Sequence, residues 1–193
     1  MKKYKDVVLY KVCRPIISFL VKLIFRPKIV GVDNIPKSGK IILAGNHTHN
    51  FDSVLLISCT KRNIHFLAKA ELFKGFKKII FSNFGLIPVN RKIKDKSVLI
   101  NAKKYLNNDS VVGIFPEGTT EKGLKQLLPF KVGAVKLSYD CNTNIIPFKI
   151  SGEYKIINNN LKIVFGKPFM AKSNLDKSNK ELYEIIDNLK ESV

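Results

Sequence analysis

Short apolar runs alternate with helix-length segments along most of this chain, and this alternation is the feature that most limits its possible folds. Five short, largely apolar runs predict strands. They are KIILAGNH at 40–47, NIHFLAKA at 63–70, SVVGIFPEG at 110–118, which ends in a loop, NIIPFKI at 144–150 and LKIVFGKPF at 161–169. The alternation predicts an α/β fold with a central mixed, largely parallel sheet flanked by helices.

Helical spacing is found in the segments between and after these runs. Apolar residues recur there at intervals of three and four, which predicts helices over residues 52–59, 71–85, 95–108, 131–140 and 178–192. Asp52 stands in the first turn of the first of these helices. Ser178 and Glu181 match a capping box, in which two side chains bond the free backbone amides of a first turn, so we expect the last helix to begin there.

The length and composition fit a single folded domain with an appendage. The 193 residues are 45% hydrophobic and 25% charged, which is enough apolar material for a core. Cys13, Cys59 and Cys141 are far apart, so their spacing predicts neither a disulfide framework nor a zinc site and favours a reducing compartment. No small-residue cleavage site follows the first apolar run. We expect a helical segment over residues 1–28 and a domain over residues 29–193.

Positive charge dominates the chain, since 34 Lys and Arg against 15 Asp and Glu give a net charge of +19. A composition rich in Lys, Ile and Asn explains part of this excess. The remainder favours an anionic partner, and the candidates are nucleic acid, an anionic membrane surface or an acidic carrier protein. The chain carries no RNA-binding motif, zinc finger or basic strand pair with interleaved aromatic residues, which argues against nucleic acid.

The first basic block coincides with an apolar run, LYKVCRPIISFLVKLIF at residues 9–25. Lys11, Arg14 and Lys22 interrupt this run and argue against a membrane-spanning helix. The apolar residues fit one broad helical face: Ile16, Ile17, Phe19, Leu20, Leu23 and Ile24. An apolar face beside cations is typical of an amphipathic helix that lies in the membrane interface. The alternative is an ordinary helix packed on the core of the domain.

The stretch GNHTHNFDS, at residues 45–53, places many polar side chains between two apolar segments. In an open α/β sheet, sites form outside the carboxyl ends of the strands, and this stretch follows a predicted strand. His47 and Asp52 are five residues apart across a strand-to-helix turn, so the carboxylate can bond one ring nitrogen and leave the other as a base. A helix N-terminus favours an ionised Asp52. A metal site made of His47, His49 and Asp52 is the alternative.

A second polar cluster, FPEGTTE at residues 115–121, also follows a predicted buried strand. Pro116 and Gly118 predict a sharp turn, which would present Glu117 and Thr119 to a site. Two cations near extended segments, Arg91 and Lys131, are candidates for binding a phosphate group of a substrate. We therefore expect both clusters at the mouth of the sheet.

The order of these motifs resembles the glycerolipid acyltransferases, and in particular the 1-acylglycerol-3-phosphate (lysophosphatidate) acyltransferases. NHTHNFD matches the family's N-H-x-x-x-x-D block, GLIPVNR looks like its second block, FPEGT matches the third and IIPFKI looks like the fourth. LPFKVGA resembles the family's F-K-x-G-A segment. These motifs occur in the family's order over residues 45–150, and the ordered set is much more specific than any single motif.

The resemblance implies transfer of a fatty acyl group from acyl carrier protein or coenzyme A to the free hydroxyl of 1-acylglycerol-3-phosphate, giving phosphatidate for phospholipid biosynthesis. His47 would be the general base and Asp52 its orienting partner. Arg91, Glu117, Gly118, Thr119 and Lys131 would bind substrate. No metal, organic cofactor or nucleic acid is implied. The expected location is peripheral, on the cytoplasmic face of a bacterial cell membrane.

One position departs from the family pattern. The third block usually continues with Arg and Ser after FPEGT, whereas Thr120 and Glu121 follow here. The resemblance associates that Arg with handling the substrate phosphate, so its absence leaves Arg91 and Lys131 as the best phosphate ligands. It also leaves two alternatives open. One is an acyltransferase for a different lysolipid acceptor, and the other is a non-catalytic, basic, membrane-binding homologue.

Overall fold

A single seven-stranded sheet forms the centre of the protein in a computed structural model, which describes residues 8–90, 97–120, 127–156 and 160–190. Strands and helices follow one another along the chain. The elements are α1 (Val8–Phe25), β1 (Lys28–Val30), β2 (Ile41–Gly45), α2 (Asp52–Cys59), β3 (Ile64–Lys69), α3 (Gly75–Asn83), β4 (Ile87–Val89), α4 (Ser97–Leu106), β5 (Val111–Ile114), α5 (Gly133–Cys141), β6 (Ile145–Ser151), β7 (Lys162–Phe165) and α6 (Leu175–Asp187).

The strand order is β1-β7-β6-β2-β5-β3-β4, and β2 lies at its centre. Neighbouring strands pair in parallel except β6 and β7, which are antiparallel. The predicted α/β fold with a mixed, largely parallel sheet is therefore confirmed. Pro88 lies in β4 at the sheet edge, where the proline's missing N–H costs no hydrogen bond to a second neighbour.

Two apolar layers cover the two faces of the sheet. Alternate residues of β2 face opposite sides, because side chains along a strand alternate. Ile41 and Leu43 join a buried cluster with residues of α1 and α2, while Ile42 and Ala44 join a second cluster with residues of α4, α5 and α6. All five residues of β2 are buried, so this strand forms a fixed support for the loop that follows it.

Helix α1 packs on α2 along one side and exposes apolar side chains on the other. Tyr10 and Val21 are buried in the core. Arg14 Nε donates to Thr60 O at 2.7 Å, and Ser18 Oγ donates to Ser58 O at 3.2 Å, so α1 caps the carboxyl end of α2. The exposed side carries Val12, Ile16, Phe19, Leu20 and Leu23. The helix thus combines core packing with an uncovered apolar side.

Within the described residues, no helix has a stretch long and apolar enough to cross a membrane. Helix α1 has 18 residues, but Lys11, Arg14 and Lys22 divide its apolar residues.

Two helices begin three or four residues away from their predicted starts. Residues 71–85, predicted as one helix, form a 3-10 turn at Ala70–Phe73 and then α3. The break falls at Gly75, whose φ of 53° lies in the left-handed region that glycine adopts without strain. The second difference lies at the start of α6.

The predicted capping box of Ser178 and Glu181 is wrong. Helix α6 begins at Leu175, and Asn174 is its cap, with Asn174 Oδ1 accepting from Lys177 N at 3.0 Å. Ser178 is buried inside the helix, where Ser178 Oγ accepts from Lys172 N at 2.9 Å. The helix starts one turn earlier because Leu175 packs against the second apolar cluster.

Candidate active site

The loops after β2 and β5 meet at the carboxyl edge of the sheet. The two strands pair in parallel with Ala44 opposite Ile114, so both end at the same level. His47 N donates to Glu117 Oε1 at 2.9 Å, which joins the two loops directly. The two polar clusters that the sequence placed at strand ends therefore form one site.

His47 and Asp52 form a hydrogen-bonded pair within this site. His47 Nδ1 lies 2.9 Å from Asp52 Oδ2, and since a carboxylate can only accept, Nδ1 carries the proton. The Asp52 side chain is fully buried, whereas 15% of the His47 side chain is exposed. Asp52 is the first residue of α2, where the helix dipole favours its negative charge. The arrangement leaves His47 Nε2 unprotonated and able to act as a base.

The Asp52 carboxylate is held by several donors besides His47. Asp52 Oδ2 also accepts from the backbone N–H groups of Thr48 at 2.6 Å and His49 at 2.8 Å. Asp52 Oδ1 accepts from Thr48 Oγ1 at 3.2 Å and from the hydroxyl of Tyr154 at 2.6 Å. Hydrogen bonds to a buried carboxylate offset its lost hydration and fix its orientation.

The imidazole of His47 is fixed by stacking as well as by hydrogen bonding. Its ring lies on that of Phe115, with centroids 4.1 Å apart and an angle of 16° between the ring planes. Phe115 in turn packs edge-on against the buried Phe148 of β6, with centroids 6.0 Å apart. The apolar core therefore sets the plane in which His47 presents its Nε2 atom.

Glu117 joins three segments of the site. Glu117 Oε1 accepts from His47 N, and Glu117 Oε2 accepts from Leu128 N at 3.1 Å. The side chain is 4% exposed. Burial raises the pKa of Glu117, and the two backbone hydrogen bonds and the neighbouring His47 act in the opposite direction. Both oxygens are occupied by backbone donors, so this carboxylate holds the loops in place, and its predicted contact with substrate stays a prediction.

Lys131 lies over the turn at residues 115–119. Gly118 has a φ of 71°, in the left-handed region that glycine adopts without strain, and the Lys131 ammonium group lies directly over it. Lys131 N donates to Pro116 O at 2.9 Å, which fixes the backbone there. Thr119 is exposed and Thr120 is half-buried beside it. Arg91, the other predicted phosphate ligand, lies outside the described residues.

His49 is not placed like a metal ligand beside His47. Its Nδ1 accepts from Phe51 N at 3.2 Å, and its ring stacks on Tyr154 with centroids 4.8 Å apart. Across the described part of the chain, no three His, Cys, Asp or Glu side chains are grouped so that they could hold a metal ion. The third histidine, His65, is buried in β3, where its Nδ1 lies 2.8 Å from Gly85 O.

The acyltransferase family model, described simply as "Acyltransferase", matches residues 26–151, which include both clusters of the site. The chain belongs to this family. The family predicted from the ordered motifs is therefore confirmed.

Named relatives of this acyltransferase include two bacterial 1-acyl-sn-glycerol-3-phosphate acyltransferases. The one from Borreliella burgdorferi is 33% identical over 122 residues, covering 62% of this chain and 48% of that protein. The one from Bacillus subtilis is 26% identical over 170 residues, covering 83% and 82%. The chain thus spans about half the length of the Borreliella burgdorferi relative, and most of the Bacillus subtilis one.

The crystal structure of the 1-acyl-sn-glycerophosphate acyltransferase from Thermotoga maritima has the same fold as this acyltransferase. The TM-score is 0.74, and the match covers 96% of this chain and 80% of that one. The sequences are 20% identical, so the likeness concerns the fold.

Two residues of the acyltransferase site escaped sequence reasoning. Asn46 bonds the backbone of β6, since its Nδ2 donates to Ile150 O at 2.8 Å and its Oδ1 accepts from Ile150 N at 2.7 Å. Tyr154 reaches Asp52 from the segment after β6. Each lies beyond the carboxyl end of a central strand, so applying the strand-end rule to β6 as well as β2 and β5 would have pointed to Tyr154.

Proposed function

We propose that this acyltransferase moves a fatty acyl group from acyl carrier protein or coenzyme A to the free hydroxyl of 1-acylglycerol-3-phosphate, giving phosphatidate. The observation that carries the proposal is the pair of His47 and Asp52, joined over 2.9 Å with the carboxylate fully buried. Two relatives of this family carry the name of that activity. Because both loops lie at one edge of the sheet, the acceptor and the donor can bind next to each other there.

The proposed chemistry needs no acyl-enzyme intermediate. His47 Nε2 takes the proton of the acceptor hydroxyl as the oxygen attacks the thioester carbonyl. Asp52 stabilises the imidazolium that forms, because its charge lies against Nδ1. The ester C–O bond forms as the thioester C–S bond breaks. The sulfur leaves as a thiolate, and His47 returns the proton to it, which gives the free thiol. Donors in the turn at 115–119 are suited to the developing oxyanion or to the acceptor.

Two cations are the proposed ligands of the acceptor phosphate. Lys131 Nζ lies against Gly118 in the turn that bonds the His47 loop, which puts a positive charge beside the site. Arg91 is the second ligand, proposed from its place in the family's second block. A charged phosphate group gains most from such cations where water is partly excluded.

Helix α1 is proposed to hold the enzyme at the membrane that supplies its lipid acceptor. Its exposed side carries Ile16, Phe19 and Leu23, which are 58%, 65% and 54% exposed. Apolar side chains beside cations suit an interface with anionic lipids. Residues 1–28 are therefore the proposed membrane-associating segment and 29–193 the proposed acyltransferase domain. The three cysteines are free thiols, which fits the cytoplasmic face of a bacterial membrane.

A second candidate is the same reaction on a different lysolipid. Thr120 motivates it, because this position follows FPEGT, where the family usually has Arg. The Thr120 hydroxyl carries no charge that could bind a phosphate group. An acceptor with a different headgroup would therefore lose less binding energy than lysophosphatidate from having Thr in place of Arg.

The decisive experiment compares the parent protein with His47→Ala and Asp52→Asn in an acyl-transfer assay. Lysophosphatidate and a panel of other lysolipids are the acceptors, with acyl-coenzyme A and acyl carrier protein as donors. We expect the parent to make phosphatidate, and each variant to be slower by about 10²–10⁴-fold, the usual contribution of a general base. Asp176→Asn, at an exposed aspartate in the first turn of α6, is the matched control and should keep full activity.

The outcomes separate the candidates. Activity with another lysolipid alone would favour the second candidate. A fully active His47→Ala enzyme would overturn the role of the pair. A folded parent that is inert with every donor and acceptor would overturn the proposed reaction and favour the non-catalytic membrane-binding homologue.

A further inference from the structure

Tyr154 lies in the segment between β6 and β7, more than one hundred residues from the pair it contacts. Its hydroxyl donates to Asp52 Oδ1 at 2.6 Å. This distance equals the shortest of the other hydrogen bonds to the carboxylate. The other donors to Asp52 come from the His47 loop itself, at residues 47–49. Among the described residues that donate to this carboxylate, Tyr154 is therefore the one that comes from elsewhere in the fold.

The ring of Tyr154 is held by three aromatic neighbours. Phe25, the last residue of α1, packs edge-on at a centroid distance of 5.5 Å. His49 stacks at 4.8 Å, and Phe51 lies at 6.1 Å. Such contacts restrict the ring to one position, so the hydroxyl meets Asp52 without a large loss of side-chain freedom at each turnover.

We infer that Tyr154 is a positioning residue that fixes the Asp52 carboxylate against His47 and thereby sets the basicity of the imidazole. The inference rests on the proposed function for its kinetic consequence, although the contact itself can be tested without turnover. Tyr154, which comes from a separate part of the chain, is then a third side chain beside His47 and Asp52 of the sequence motif.

The electrostatic environment keeps Tyr154 a donor. Burial raises the pKa of the Tyr154 hydroxyl, and the charge of Asp52 and their hydrogen bond act in the same direction. The O–H dipole thus points its positive end at the carboxylate. This reduces the attraction of Asp52 for the imidazolium form of His47, so we expect removal of the hydroxyl to strengthen that attraction.

Several other titratable groups lie around the pair, and Tyr154→Phe leaves their side chains in place. Glu117 contacts the backbone of His47, and His49 stacks on the Tyr154 ring. Burial raises the pKa of the Cys59 thiol, at the end of α2, to about 12, so this group carries no charge near pH 7. A change in pH dependence in a Tyr154 variant can therefore be attributed to the lost hydroxyl.

The test is Tyr154→Phe, which removes the hydroxyl and keeps the ring. We expect kcat to fall about tenfold, as for loss of one hydrogen bond to a charged group, with KM for the acceptor changed less than about twofold. The acid limb of the kcat/KM profile should move upward by roughly half a pH unit. Tyr139→Phe, at a 49% exposed tyrosine of α5, is the matched control and should change neither quantity.

A second measurement is independent of activity. The chain has three histidines, so the ring signals of His47 can be assigned in an NMR titration with the help of single variants. We expect the midpoint of the His47 titration to rise in Tyr154→Phe and to stay unchanged in Tyr139→Phe. A purely structural role for Tyr154 would lower stability without moving this midpoint.

The two measurements distinguish failure of this inference from failure of the proposed reaction. If Tyr154→Phe leaves the kcat, the acid limb and the His47 midpoint unchanged, the inference is overturned even in an active enzyme. If the parent is inactive with every acceptor, the NMR midpoint alone decides. A raised midpoint then supports the positioning contact although the proposed reaction has failed.

Discussion

At the scale of single residues, Glu117 connects the loops of the site, and this connection can be tested. Glu117→Gln keeps the shape but replaces one acceptor oxygen with an NH₂ group, which cannot accept from the backbone of His47 or Leu128. An unpaired buried donor costs about 1–3 kcal/mol, and removal of the buried charge offsets part of that. We expect the free energy of unfolding to fall by about 1–2 kcal/mol and the activity to fall with it.

The measurement for this prediction is urea unfolding at pH 7 beside the acyl-transfer assay. Glu184→Gln, at an exposed glutamate of α6, is the matched control and should change stability by less than about 0.5 kcal/mol. Equal effects of the two substitutions would show that the backbone hydrogen bond lost from Glu117 contributes nothing to stability.

Local sequence patterns were enough to predict part of the site. His47 and Asp52 are separated by one turn, so the backbone alone brings them together. The meeting of His47 with Glu117 needed only the rule that parallel strands end at one edge of a sheet. Tyr154 was missed because that rule was applied only after β2 and β5, whereas Tyr154 follows β6, and its contact with Asp52 depends on how distant segments pack.

At the scale of elements, the exposed side of α1 predicts the strength of membrane association. The double variant Phe19→Ser and Leu23→Ser removes two large, exposed apolar side chains and leaves the cations of the helix in place. Burying each such side chain contributes up to about 1.5–3 kcal/mol, so partial insertion of two predicts at least a roughly tenfold loss of binding. Sedimentation with anionic vesicles measures the partition coefficient.

The matched control for α1 lies on the other face of the sheet. Ile100→Ser with Tyr139→Ser removes two exposed side chains of α4 and α5, which are 54% and 49% exposed. We expect this control to bind vesicles like the parent. If both double variants bound equally well, α1 would not be the membrane-associating element.

Element types were predictable because periodicity is local, whereas boundaries depended on packing. For α1, the sequence left two alternatives, packing on the core and contact with a membrane. The helix has one buried side, which includes Tyr10 and Val21, and another side that is uncovered. For α6, Ser178 matched a local capping signal, but the burial of Leu175 outweighed it and Asn174 became the cap. Tertiary packing commonly decides such competitions between adjacent signals.

At the scale of the whole molecule, the net charge of +19 predicts how salt affects membrane binding. Each Lys or Arg near an anionic surface contributes about 1 kcal/mol at low salt, and the Debye length falls from about 10 Å at 0.1 M to about 3 Å at 1 M. We expect binding to vesicles that contain about one third anionic lipid to fall more than roughly tenfold over that range. Binding to purely zwitterionic vesicles should be weak and nearly independent of salt.

The same salt series on the Phe19→Ser and Leu23→Ser protein separates the two contributions. This variant keeps all 34 Lys and Arg, so its binding should be weaker at every salt concentration while the slope against salt stays that of the parent. A flattened slope would mean that the apolar side of α1 must insert before the cations reach the lipid headgroups. Salt-independent binding of the parent to anionic vesicles would remove charge as the attracting force and leave the apolar side of α1 to account for the binding.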